Sequence, residues 1–156
     1  MAITFDSFDS FQDMLKRIND DVEAIDWKAF AQTQGDRLQG DHSDFFDDEK
    51  SPLGKKWADL APSTIARKGH SKILIDSRRL VRSLTQKTDD AIREPFQSGN
   101  MAGLVFGTAV PYAHYHMTGT RNMPARPMVG LTESRLEKVR SQVASLITET
   151  IIKPKR

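Results

Sequence analysis

The 156 residues, 38% hydrophobic and 28% charged, suit one soluble domain able to hide roughly 68–70% of its unfolded surface. The absence of cysteine excludes disulfides, thiolate metal sites and a cysteine nucleophile. No run approaches the roughly 20 apolar residues of a membrane span. Met1-Ala2-Ile3-Thr4-Phe5-Asp6 lacks the basic start and apolar stretch of a signal peptide, so the expectation is a protein made in the cytoplasm without membrane contact.

The net charge of +2 conceals a split. Residues 1–50 carry 13 acidic and 5 basic side chains, whereas residues 51–156 carry 8 acidic and 18 basic ones. This fits two solvated faces of opposite bias, head-to-tail assembly of acidic end on basic body, or phosphate contact by the basic part.

Along the chain, Phe5, Phe8, Phe11, Met14, Leu15, Ile18, Val22, Ile25 and Phe30 recur at three- and four-residue steps. The spacing predicts an amphipathic helix over 5–33, ended by Gly35. Residues 35–56 read as a polar acidic loop anchored only by Phe45-Phe46, with a short helix around 43–49 or with order supplied by a neighbouring subunit. Asp41, Asp44, Asp47 and Asp48 lack the glycine-centred spacing of a calcium loop.

The segment 57–129 reads as a mixed core. A short helix starts at Pro62 and closes at Gly69, and Ile73-Leu74-Ile75 forms an extended apolar run. Asp76-Ser77 then caps a second short helix over 78–85 that buries Leu80, Val81 and Leu84. Strands over 91–96 and 102–108 flank Ser98-Gly99-Asn100 as a hairpin. Pro111 opens a turn or short helix that Gly119 stops, and Pro124 and Pro127 keep 123–128 extended. A last helix spans 130–152 on a stripe of Leu131, Leu136, Val139, Val143, Leu146, Ile147 and Ile151. Two long helices around a middle with short helices and a small antiparallel sheet make an α+β fold in a single domain.

Chemistry-bearing motifs are sparse: there is no phosphate-binding glycine loop, dinucleotide pattern, zinc-protease helix or nucleophile elbow. His114 and His116 would share a face on a strand, but on a helix they diverge by about 200°. The more economical reading is a structural turn packed by Tyr112 and His116 and ended by Gly119, with no metal, catalytic residue or cofactor. Arg67, Lys68, Lys72, Arg78, Arg79 and Arg82 form a basic patch, with no aromatic residue over 67–95 for base stacking.

The landmarks of residues 57–131 form an ordered series. Trp57-Ala58-Asp59-Leu60-Ala61-Pro62-Ser63-Thr64 precedes Arg67-Lys68-Gly69, then Ile73-Leu74-Ile75-Asp76-Ser77-Arg78-Arg79-Leu80 and Ser83-Leu84. Phe106-Gly107-Thr108, Val110-Pro111-Tyr112-Ala113, His116 and Gly119 follow, and Pro124-Ala125-Arg126-Pro127-Met128 leads to Gly130-Leu131. This series resembles the phage virion morphogenesis family, the tail-completion proteins of Mu-like and other contractile-tailed phages. Asp76-Ser77 stands where the family pattern has a threonine-glycine pair, and Met128 where an aromatic is common.

The resemblance implies a structural, non-enzymatic virion part at the head-proximal end of the tail, made in the bacterial host cytoplasm. It implies a ring of like copies, a hexamer among the candidates, that caps the tail tube and meets neck or head-connector proteins, as tail terminator or head–tail joining protein. A ring needs one heterologous interface that closes on rotation. Arg78, Arg79, Arg82, Arg126, Pro124 and Pro127 are the candidate contact residues. The alternative is a nucleic-acid-binding accessory protein using residues 67–82, whose affinity would fall steeply with salt.

Overall fold

The computed structural model describes residues 8–99 and 101–152. Six helices and one two-stranded antiparallel sheet make up the described residues, an α+β chain. Where the length suggests one domain, the contacts of the described residues separate two compact units, one within 27–133 and one of residues 8–26 with 134–152.

In the larger unit the longest element is α2 (Trp27–Asp47), a helix running through the segment expected to be loop. The sequence-expected helix over 5–33 is correspondingly two helices, α1 (Phe8–Glu23) and α2, divided at residues 24–26; residues 5–7 lie outside the described part. The physical reason is visible in what α2 buries: Ala31, Gln34, Gly35, Leu38, His42, Phe45 and Phe46, all at helical spacing. Three members of that stripe are not hydrophobic, so the pattern is faint in a hydropathy reading. Gly35 is not a helix end. A Cβ there would lie 3.3 Å from the Arg93 guanidinium and 3.4 Å from Leu104 Cδ2, so glycine lets the sheet approach the helix.

That sheet is the hairpin β1 (Ala91–Ser98) and β2 (Met101–Thr108), paired from Ala91↔Thr108 to Ser98↔Met101. It packs on α2 and on α4 (Arg79–Thr85). Arg93 locks the helix contact: its Nη1 donates to Gln39 Oε1 at 2.9 Å and its Nη2 pairs with the Asp36 carboxylate, which holds Asp36 below the usual carboxylate range. His42, 1% exposed, lies 4.7 Å from the Phe106 ring and 5.2 Å from Phe45. Its Nδ1 donates to Leu38 O at 2.7 Å, which leaves the buried Nε2 as an unpartnered acceptor.

The core gathers Phe46, Trp57, Ile73, Leu80, Leu84, Val110, Ala113 and Met128 from widely separated parts of this unit. Trp57 stacks edge-on to Phe46 at 5.5 Å and donates its Nε1 hydrogen to Pro127 O at 2.9 Å. Ile73-Leu74-Ile75 is a turn and not the extended run expected. Leu74 has φ 56°, and Ile73 is held by its amide donating to Glu49 Oε1 at 2.7 Å. The short helices α3 (Pro62–Lys68) and α5 (Ala113–Thr118) complete the unit.

The smaller unit holds α1 and all but the first residue of α6 (Glu133–Ile152), a helix that starts three residues later than its apolar stripe suggests. Leu136, Val139, Val143, Leu146 and Ile147 are half-buried along one stripe of α6, and Phe11, Met14, Ile18 and Val22 along one of α1. Neither helix buries a side chain fully. No helix of the described residues is long and apolar enough to cross a membrane.

Candidate functional site

The larger unit contains a cleft of about 710 Å³ between α3, the turn over 73–78 and the segment after α5. Its first wall is α3. Proline at the first helical position needs no amide partner, and Gly69 ends the helix at φ 75° with its amide donating to Ile65 O at 2.8 Å. Arg67 and Lys68 occupy the last turn, where the helix dipole favours cations. Lys68 Nζ donates to Lys72 O at 2.6 Å, and burial pushes its pKa down.

The second wall carries two non-glycine residues in left-handed backbone, Leu74 (φ 56°) and Arg78 (φ 65°). Each such conformation costs on the order of 1–3 kcal/mol and persists only where surrounding contacts hold it. The expected Asp76-Ser77 cap does not form: Arg78 precedes α4 with no side-chain cap, and Ser77 Oγ accepts only a long contact, 3.4 Å, from the Arg79 amide. The tight passage into α4 instead turns Arg78 outward at the cleft rim, where it is exposed.

The third wall runs from Tyr112 to Arg126. Tyr112 and His116 meet edge to face at 6.0 Å, and burial with the nearby Arg126 charge lowers the His116 pKa. Gly119 follows with φ 77° and ψ 175°, a conformation open only to glycine. A Cβ there would stand 2.8 Å from Ala125 N and 3.0 Å from Met123 O. The chain thus folds back closely enough for the Arg126 amide to donate to His116 O at 2.6 Å.

The structure sorts the sequence-predicted residues differently from one shared surface. Arg126, expected at a contact, is 4% exposed; its Nε donates to Ala58 O at 2.8 Å and its Nη2 to Asp59 O at 2.9 Å. Pro124 and Pro127 are exposed, and Pro124 lines the cleft. Arg79 forms a two-pronged pair with Asp90, both bonds at 2.7 Å, which holds the Asp90 carboxyl below its usual range and ties α4 to the start of β1. Nothing local in the sequence marks Asp90 as that partner, since it lies 11 residues away. Arg82 is exposed and lies outside the cleft. The basic patch over 67–82 is therefore divided: the side chains of Arg67, Lys72, Arg78 and Arg82 lack a partner among the described residues, and of these Arg67 and Arg78 line the cleft.

The cleft is lined by Leu60, Leu74, Ile75, Leu80 and Met123 together with the exposed cations Arg67, Arg78 and Arg79, the half-buried Lys68, the buried Arg126, and Asp59 and Asp76. Such a surface suits an anionic segment that also carries apolar groups. His114 and His116 sit on helical α5 and turn to different neighbours: His114 stacks on Tyr115 at 3.8 Å, His116 on Tyr112. Among the described residues no group of three or more His, Asp or Glu side chains is placed to hold a metal ion.

Two comparisons with known proteins bear on this architecture. The model of the phage virion morphogenesis family matches residues 6–148. The Mu-like prophage FluMu G protein 1 of Haemophilus influenzae is 30% identical over 110 residues, 67% of this chain and 68% of the relative. No solved structure matches the chain. With a match that takes in both units, the chain belongs to the phage virion morphogenesis family.

Proposed function

We propose that this chain is a tail-completion subunit, a structural and non-enzymatic part that forms a ring with copies of itself at the head-proximal end of the tail. The ring caps the tail tube and offers the junction to the head or neck. The observation that carries this reading is the family match over residues 6–148, which spans most of the chain and not one motif. The likeness to a Mu-like prophage protein supports it. A cleft of opposite charge to the chain's N-terminal third also supplies what a heterologous ring contact requires: two different, complementary faces on each copy.

The test is deletion of the gene in a phage that carries it, followed by electron microscopy and plaque titre. Heads and tails that fail to join, or tails of abnormal length, restored by the intact gene in trans, are the expected result. Normal infectious particles from the deletion strain refute the proposal.

A further inference from the structure

We infer that the cationic cleft is the docking site for helix α1 of a second copy of this chain. The inference rests on the self-assembly part of the proposed function and names the two surfaces that meet.

The cleft side is described above: apolar lining residues, and Arg67 and Arg78 exposed at the rim without intramolecular partners among the described residues. Both guanidinium groups face solvent at the rim, Arg78 on a left-handed backbone that surrounding contacts hold in place. The occupant is identified by charge. Helix α1 carries five acidic and two basic side chains over 16 residues. At 100° per residue, Asp9, Asp13 and Asp20 fall within about 40° of one another and form one acidic edge, with Lys16 among them. All three are exposed.

Phe8 and Leu15 stand within about 20° of each other, roughly 100–160° around the helix from that edge and next to its half-buried stripe. They are 71% and 43% exposed. The carboxylate edge matches the cationic residues of the cleft. The other acidic helix of the described residues does not match in this way: α2 spends its apolar stripe on its own hairpin and core. A duplex nucleic acid would meet the same cationic residues through its phosphates alone, and reversal of charge on both partners distinguishes the two.

Docking of α1 on the next copy's cleft is heterologous, because the two faces differ, and repetition of it closes a ring or runs on as a filament. Its electrostatic part weakens with added salt.

The test is a charge swap in the full-length chain, read by sedimentation and light scattering, with circular dichroism confirming that each variant is folded. One variant carries Arg67→Glu with Arg78→Glu, and the other carries Asp13→Lys with Asp20→Lys. All four positions are exposed, so the substitutions leave the core untouched. Each variant alone is expected to self-associate at least tenfold more weakly than the unaltered chain. An equimolar mixture of the two is expected to recover association, because each reversed cleft then meets a reversed helix on another copy. Recovery on mixing also separates docking between copies from docking within one chain, which mixing cannot restore. Three results overturn the inference: an unaltered chain that stays monomeric at low salt, association that survives either pair of substitutions, or a mixture that stays dissociated. Loss of duplex DNA retention in the Arg67→Glu, Arg78→Glu variant with self-association unchanged assigns the cleft to phosphate instead. Each of these leaves the deletion phenotype to decide the virion role separately.

Discussion

Arg126 offers the sharpest test of how the cleft wall is held. Replacing it by alanine removes two charge-assisted hydrogen bonds, at 2.8 and 2.9 Å to the carbonyls of Ala58 and Asp59. Bonds to charged groups contribute about 1.5–3 kcal/mol each, an upper total of about 6 kcal/mol. Two effects reduce that figure. Ala58 and Asp59 are exposed, so their carbonyls regain water when the guanidinium goes. Burial also lowers the Arg126 pKa, so placing the charge there carries a desolvation cost that the substitution relieves. The expected net loss is about 3 kcal/mol, a large share of the roughly 5–15 kcal/mol that stabilises a typical domain. Arg126→Lys is expected to recover no more than about half, because an ammonium cannot span both carbonyls as the planar fork does. Urea denaturation of the full chain measures this. With a slope of about 1–3 kcal/mol per molar, the alanine midpoint falls by roughly 1–3 M. A loss below about 1 kcal/mol, or full recovery by lysine, refutes the assignment of Arg126 as the tie between the 124–128 segment and the chain after Trp57.

Gly119→Ala places a methyl group against the Ala125 amide nitrogen and the Met123 carbonyl at a backbone conformation reserved for glycine, and is expected to cost at least about 2 kcal/mol in the same assay; an unchanged midpoint counts against the tight return after α5. Burial holds both His42 and His116 below the usual histidine value of 6.5, so the unfolded chain binds protons that the folded chain refuses. Their contribution to stability is therefore whole above about pH 6.5 and declines as pH falls through 6.5 toward the folded-state values. His42→Leu is expected to flatten part of that acid slope, and a slope identical to that of the unaltered chain refutes the role given to the unpartnered Nε2.

Much of the fold is legible in the sequence where local chemistry decides the outcome. Pro62 and Gly69 bracket α3 because one lacks an amide that the first turn does not use and the other adopts the left-handed turn that ends it. Gly99 allows the tight hairpin at φ 53°, and the apolar spacing of α6 marks its half-buried stripe. The long extent of α2 was not legible, because its inward face includes Gln34, Gly35 and His42. These residues read as polar or helix-breaking until the hairpin that covers them is in place.

Family membership follows from the order of short motifs along the chain, which sequence alone carries. The character of each motif residue does not. Arg126 reads as a surface cation and is an internal clamp, and Arg79 reads as part of an open basic patch and is tied to Asp90. Only the tertiary structure decides which charges are consumed within the chain and which, such as Arg67 and Arg78, are left facing outward. The physical reason is that a charge is matched by whatever lies within a few ångströms of it. In this fold those neighbours lie 11 residues away for Arg79 and more than 60 residues away for Arg126.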